Sequence, residues 1–510
     1  MLRINGSNLT IKDVVDVASN KLSVELTEDA RERVSQSYNW VRKIITTDKL
    51  VYGVNTGFGI FFDKKIKSSD SEILNRNLIL SHAVCVGPEL RAEIVRAAML
   101  IRANALAIGY SGVRPIVIDT LLEMLNRGVT PVVPSQGSLG SSGDLAPLSH
   151  LALVFTKDAD DNEKDSGWAY LEGIKLSGKA AMDSAGIERI ILGPKEGLAI
   201  TNGATFSAAI GAIACSEAEK YLNIADIALA MSMEALLCAS PAYDERLHQL
   251  RPHPGQSLVA QNVRQLIKGS SLIDSGNRIQ DAYSIRCAPQ VHGAARDAHK
   301  FVSSVINNEI NSATDNPIIF DENEVISGGN FHGEPIGMTM DFLGIAMAEI
   351  GAISERRIFR MIDGRLNSNL PPMLVDNWEA AGMNSGLMMP QYTAASLSLE
   401  NLTLASPDSI HSLPTSGEQE DHNANSMTAA RHTLQIIDNT ANILAIELFC
   451  ASRAIDLRLR DNEKAKLGNG VEKAFKIIRK EIPYQAGDML WGPDIEKMNN
   501  MIKSGRLNEI

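Results

Sequence analysis

From residue 205 onward the chain is dominated by apolar runs at helical spacing. Residues 205–239 are almost uninterrupted in this way, and similar patterns recur at 255–268, 290–308, 336–363, 385–405 and 425–457. An ordinary helix has about three turns, and these exceed it widely. Their apolar residues form broad stripes or run all round, so the helices must be buried against other helices. No strand-like alternation of comparable length occurs. The expected fold is therefore all-α, with a long central helix bundle. The first half predicts an edge strand at "LRIN", a helix from Thr10, and helices over 72–84, 91–108 and 112–127. An acidic turn, "DADDNEKDSG", leads into a small hairpin, "WAYLEGIKLSG". We expect a mainly helical region over 1–200 that carries two Gly-rich loops, the bundle over 201–470, and a helical cap over 471–510. With no repeat and no flexible linker, they read as one continuous folding unit.

A net charge of −12 argues against general nucleic-acid binding, which needs a basic surface. The five cysteines, Cys85, Cys215, Cys238, Cys287 and Cys450, are scattered without metal-ligand spacing. No disulfide framework and no metal site are expected, and a reducing, cytoplasmic compartment fits. The opening "MLRINGSNLTIKDVV" has no basic stretch followed by an apolar run, so no secretory signal is expected. The most membrane-like stretch, 221–239, is interrupted by Asp226 and Glu234 and reads as a buried core helix. No membrane partner is expected.

The Gly-rich stretches do not carry phosphate-site signatures. "GSLGSSGD" lacks the Lys-Ser/Thr ending of a P-loop, and "GVNTGFG" opens no helix in a βαβ setting. There is no HExxH pattern and no GxSxG elbow. Nothing points to a pyridoxal lysine. Gln136–His150, "QGSLGSSGDLAPLSH", nevertheless runs from Ser142-Gly143-Asp144 straight into an apolar helix, so the loop enters a core. A tight Ser-Ser-Gly bend has its own reactivity. The Gly143 nitrogen, with no side chain beside it, can attack the carbonyl carbon of Ser141. Loss of two waters then leaves a five-membered imidazolone in which Ser142 has become an exocyclic methylidene. That product is an electrophile, which no unmodified side chain supplies.

This loop resembles the signature of the histidine and aromatic amino-acid ammonia-lyases, which build a methylidene-imidazolone (MIO) from Ala-Ser-Gly. Further matches follow in order: "VYGVNTGFG", "LSHAVCVG", "GPKEGLAITNGAT", "QDAYSIRCAPQVHGA", "EINSATDNPI", "SGGNFHGEP", "QYTAASLSLEN" and "LPTSGEQEDH". Together they span roughly residues 1–500. The resemblance implies an all-helical homotetramer with active sites shared between chains. It also implies a small amino-acid substrate and an MIO formed autocatalytically from Ser141-Ser142-Gly143, with no pyridoxal phosphate and no metal. The pair Ser81-His82 is similar to the histidine-specific members, where a histidine can hydrogen-bond an imidazole ring. The implied reaction is deamination of L-histidine to trans-urocanate and ammonia, the first step of histidine degradation.

Residue roles follow from the same resemblance. Tyr52 matches the proposed base, on a loop that Gly53, Gly57 and Gly59 would let close. Arg286 matches the arginine that grips the substrate carboxylate. Tyr283 and Gln280 match pocket residues that support the MIO or the amine, and Asn202 matches a contact to the MIO oxygen or substrate. Asn316 and Phe331 match further pocket residues, and His82 the substrate-selecting histidine. "QEDHNANSM" has two more residues than the histidine-specific pattern. Anchored on Gln-Glu-Asp-His, it makes Glu420 the family glutamate; anchored on Ser426-Met427, it makes that residue His422. Four consecutive matching residues favour Glu420.

The chain departs from the family at two places. Ser141 stands where Ala is usual, and since only its carbonyl carbon enters the ring, cyclisation is expected to proceed. Ala288 and "MPQYTAA" (389–395) look more like the aromatic relatives and aminomutases. A tyrosine or phenylalanine ammonia-lyase, or a 2,3-aminomutase of the same fold, is therefore an alternative. An inactive helical scaffold whose Ser-Ser-Gly never cyclises is another.

Overall fold

The computed structural model describes every residue except 48, 49, 58, 60–63, 508 and 509. The Gly-rich stretch 50–63 thus lies partly outside the described residues. Among those described, eighteen α-helices are joined by short strands and turns. The long apolar patterns are helices: Thr205–Ala235 has 31 residues, Glu334–Ile362 has 29 and Ser426–Asp461 has 36. Pro254–Leu266, Ala288–Glu309 and Met388–Leu404 account for the others. By length and composition Glu334–Ile362 and Ser426–Asp461 could cross a membrane, but 67% and 83% of their most apolar windows are buried within the protein. All five cysteines are free thiols, four of them buried.

The chain divides into two compact units. The first comprises Met1–Ser216, Val302–Asp341 and Pro407–Arg431. Its N-terminal strand Leu2–Ile4 pairs in parallel with Val24–Leu26. Thr10 caps the helix Ile11–Asn20 through a reciprocal capping box with Asp13, which satisfies donors the first turn would leave open. Ala92–Ala107 is buried on all sides from Ile94 onward. Its Arg96 is tolerated there because the guanidinium donates to the carbonyls of Val17 (2.9 Å), Ala18 (3.0 Å) and Leu125 (3.2 Å). Pro115 opens the next helix, and Gly128, at φ 79°, ends it. The hairpin Trp168–Leu171/Ile174–Ser177 forms as expected. The strand Val86–Glu89 follows the helix Ser71–His82 and pairs with Pro134–Gln136, so the end of that helix is held near the start of the Ser/Gly loop.

The second unit comprises Glu217–Phe301, Phe342–Ser406 and His432–Ile510. Its long helices are locked by buried polar groups as well as by apolar packing. Glu447 accepts from Ser232 Oγ (2.7 Å), Ser354 Oγ (2.6 Å) and, through both oxygens, Arg357 (2.5 and 2.8 Å). Asp226, one of the two charges that interrupt the apolar run, is paired with Arg296 (2.7 Å), His292 (3.0 Å) and Asn262 (2.9 Å). The other, Glu234, accepts the Gly468 N–H at 2.8 Å, and burial pushes its carboxyl up to about 7.

Candidate active site

The Ser/Gly loop is clamped on several sides within the first unit. Its Gly143 pairs with Gly203 in a parallel bridge: Asp144 N–H donates to the Gly203 carbonyl at 2.9 Å, and Gly203 N–H donates to the Ser142 carbonyl at 3.1 Å. A Cβ on Gly143 would lie 2.0 Å from the Gly203 carbonyl carbon, and φ there is +79°, so only glycine fits. Asp144 anchors the loop's end. Fully buried, it accepts from Ser138 Oγ (2.7 Å), Ser207 N–H (2.8 Å) and Ser207 Oγ (3.1 Å). Burial pushes its carboxyl up, and these hydrogen bonds oppose the push. Farther out, Asn425 N–H donates to the Leu139 carbonyl (2.7 Å), and Gly333 N–H to that of Gly140 (2.9 Å).

The Ser142 carbonyl receives a second donor, Asn202 Nδ2, at 2.7 Å. Two N–H groups therefore converge on one carbonyl oxygen, an oxyanion-hole arrangement. Beneath it lies Arg102, fully buried, which donates to Thr205 Oγ1 and to the Ala199 carbonyl. Burial lowers its guanidinium to about 10, so it stays charged at neutral pH. Burial likewise pushes nearby Glu309 up to about 7, against the pull of Arg102.

On the other side stands Glu420. Its carboxylate accepts from Ser141 Oγ at 2.7 Å and Ser142 Oγ at 2.5 Å. His422 is placed elsewhere: its ring stacks on His332, centroids 6.0 Å apart, and its carbonyl accepts from His332 Nε2 at 3.1 Å. Glu420, not His422, thus meets the loop. Tyr52 Oη accepts the Gly59 N–H at 3.4 Å. Burial raises its phenol above the usual value, the Gly59 hydrogen bond opposes this, and the Glu420 charge adds to it. His82 Nδ1 lies 3.0 Å from Ser81 Oγ, and burial lowers its pKa, so the ring is neutral at pH 7.

The remaining expected residues divide. Asn316 uses its side chain locally, accepting from Gly328 N–H (2.8 Å) and donating to Ser327 Oγ (3.2 Å). Phe331 is half-buried, two residues before the Gly333 contact to the loop. Gln280, Tyr283 and Arg286 belong to the second unit. Gln280 is exposed, Tyr283 is 70% exposed, and the Arg286 guanidinium lies 4.8 Å from the Tyr283 ring centroid. Arg286 Nε is buried without a hydrogen-bond partner among the described residues. Sequence reasoning gave no role to Gly203, Asp144 or Ser207; the run "TNGATFS" held the first and last, but nothing local ties them to residues 142–144.

The loop suits an MIO on chemical grounds. Cyclisation removes the Ser141 carbonyl oxygen and keeps that of Ser142, the oxygen with two N–H donors. The attacking nitrogen belongs to a glycine with no room for a side chain. Asn202 Oδ1 is buried with no donor among the described residues, an acceptor available to a substrate amine. Among the described residues, no group of three or more His, Cys, Asp or Glu side chains could hold a metal ion.

Residues 9–480 match the family described as aromatic amino acid lyase. The histidine ammonia-lyase of Caldanaerobacter subterraneus subsp. tengcongensis is 46% identical over 510 residues, 99% of this chain and 97% of that protein. Among solved structures, histidine ammonia-lyase from Trypanosoma cruzi superposes with a TM-score of 0.90 at 37% identity, over 100% of this chain and 94% of that one. Tyrosine aminomutase from Streptomyces globisporus does so with 0.92 at 31% identity, over 100% and 98%.

Proposed function

The chain belongs to the aromatic amino acid lyase family, and on that basis we propose that it is a carbon–nitrogen lyase converting L-histidine to trans-urocanate and ammonia. The reaction must remove a weakly acidic β-proton and expel a poor leaving group, an amine. An MIO formed from Ser141-Ser142-Gly143 would supply an electrophile that makes the amine a better leaving group. Asn202 Nδ2 and Gly203 N–H stabilise charge on the half-buried Ser142 oxygen. Arg286 receives the substrate carboxylate as a two-donor fork. Neutral His82, with Nδ1 engaged by Ser81, presents Nε2 to the substrate imidazole. Glu420 binds that ring or takes up a proton. Tyr52 removes the β-proton once it has lost its own. Gln280, Tyr283, Asn316 and Phe331 shape the pocket.

The observation that carries this reading is the convergence of Asn202 and Gly203 on the Ser142 carbonyl, with Glu420 against the Ser142 hydroxyl. Identity supports histidine as substrate: 46% to the Caldanaerobacter enzyme against 31% to the aminomutase. We propose a cytoplasmic homotetramer in which the segment 280–286 of one protomer completes the site of another. The high exposure of Tyr283 and the unpartnered Arg286 Nε support that arrangement.

The purified protein should be given L-histidine, L-phenylalanine and L-tyrosine while urocanate, cinnamate and coumarate absorbance are followed. Urocanate alone is expected, with an intact mass about 36 Da below the sequence mass, the two waters that the electrophile costs. No turnover of histidine overturns the assignment; an undiminished mass favours the inactive scaffold. Cinnamate or coumarate in that assay, or a β-amino acid found by chromatography, supports the second reading, an aromatic lyase or aminomutase, which Ala288 and residues 389–395 favour.

A further inference from the structure

Glu420 is held twice over. Its backbone forms an antiparallel bridge with Thr415, Thr415 N–H donating to the Glu420 carbonyl at 2.8 Å and Glu420 N–H to that of Thr415 at 3.2 Å. Left-handed residues at Ser416, Gly417 and Glu418 close the turn between them. The carboxylate, however, is fixed by hydroxyls, and its two oxygens differ. Oε1 accepts from Ser142 Oγ at 2.5 Å, so it lies beside the Ser142 β-carbon. Oε2 accepts from Ser141 Oγ at 2.7 Å and, at a longer 3.3 Å, from Thr415 Oγ1.

Formation of the ring separates these roles. The Ser142 Cα proton and Oγ hydroxyl leave as one water, and the donor on Oε1 leaves with them. The second water takes the Ser141 carbonyl oxygen, while the Ser141 side chain is untouched. We infer that the Ser141 hydroxyl is a positioning group that grips Glu420 Oε2 and keeps Oε1 turned toward the Ser142 β-carbon after Ser142 has lost its hydroxyl. The alanine usual at this position has no such donor. Ser141 is only 6% exposed, so water does not readily replace its hydroxyl. In this chain the departure from alanine therefore acts on the carboxylate rather than on the ring.

The inference rests on the proposed lyase reading, and its test separates the two. Difference infrared spectra of the full-length protein, S141A, S141T and E420Q should identify the Glu420 carboxylate band by its loss in E420Q. That band should shift in S141A and stay in S141T, which retains the hydroxyl. With the mass loss complete in each variant, S141A should lower kcat for histidine about ten- to 150-fold, the range for one charge-assisted hydrogen bond. S141T should recover most of it, and S141A should cost nothing further in an E420Q background. An unmoved band in S141A overturns the inference, as does an equal loss of kcat with and without Glu420. A wild-type protein with no mass loss and no urocanate sinks the lyase reading instead, and the infrared comparison still judges the Ser141–Glu420 contact.

Discussion

Gly203→Ala tests the idea that the reactive loop is held by a frame lying sixty residues away in sequence. Gly203 has φ +108°, where an L-residue is strained by about 1–3 kcal/mol. Its new Cβ would meet Thr314 Oγ1 at 2.5 Å, the Thr314 carbonyl at 2.6 Å and Arg102 Nη2 at 2.8 Å. The carbonyl is backbone and cannot swing aside, and Arg102 is fully buried. Overpacking of this kind costs about 1–3 kcal/mol more. A total of about 2–6 kcal/mol should lower the apparent Tm by roughly 4–12 °C in a unit of this size. Relief of the clash must also move the Gly203 N–H off the Ser142 carbonyl, which it now meets at 3.1 Å. The variant should therefore lose the two waters more slowly. Scanning calorimetry at matched concentration and scan rate, with an intact-mass time course after expression, reads both effects. A protein that melts within about 1 °C of wild type and cyclises at the wild-type rate refutes the reasoning.

His82→Leu should cut kcat/KM for histidine by roughly 5- to 150-fold, the cost of about 1–3 kcal/mol of leaving the imidazole partner unpaired, and raise turnover of phenylalanine in the same assay. Because burial lowers the His82 pKa, protonation of this ring can reduce wild-type kcat/KM only below about pH 6.5. A His82-dependent fall that begins above neutrality, absent from His82→Leu, would contradict that. Glu309→Gln should stabilise the protein at alkaline pH. The folded carboxyl sits at about 7 against about 4.5 when unfolded, so the folded state binds more protons between those values and is destabilised above them. The gain should reach as much as about 3 kcal/mol near pH 8 and fade toward pH 5. A Tm difference independent of pH would show that burial of this charge is not the cause.

What could be read from the sequence follows from the range over which each signal acts. The long helices were legible because a period of 3.6 repeats many times in 29 to 36 residues. Pairs such as Val86–Glu89 with Pro134–Gln136 were not, since two to four residues carry no detectable alternation. The Ser-Ser-Gly bend was legible because its chemistry lies in adjacent backbone atoms. Apart from Asn202, which the motif names, its supports were not: Gly203 and Ser207 meet residues 142–144 only through the fold. The ambiguity between Glu420 and His422 was of the same kind. Spacing allowed either, and only geometry puts one against Ser142 and the other against His332.

Tyr52 shows most sharply the difference between identifying a residue and knowing its state. The motif names the tyrosine, but a phenol ordinarily ionises near pH 10 and serves as a base at neutral pH only if its surroundings lower that value. Here burial raises it and the Glu420 charge raises it further, against the Gly59 N–H. The first unit therefore holds Tyr52 as a neutral phenol. A base role requires a change in charge when substrate arrives: either a cation comes close to the phenol or Glu420 takes up a proton and stops opposing ionisation. Both routes make the ionisation of Tyr52 depend on occupancy of the site. A Tyr52 that titrated identically with and without a bound substrate analogue, by ultraviolet difference against Tyr52→Phe, would rule out that coupling and with it the phenol as the base.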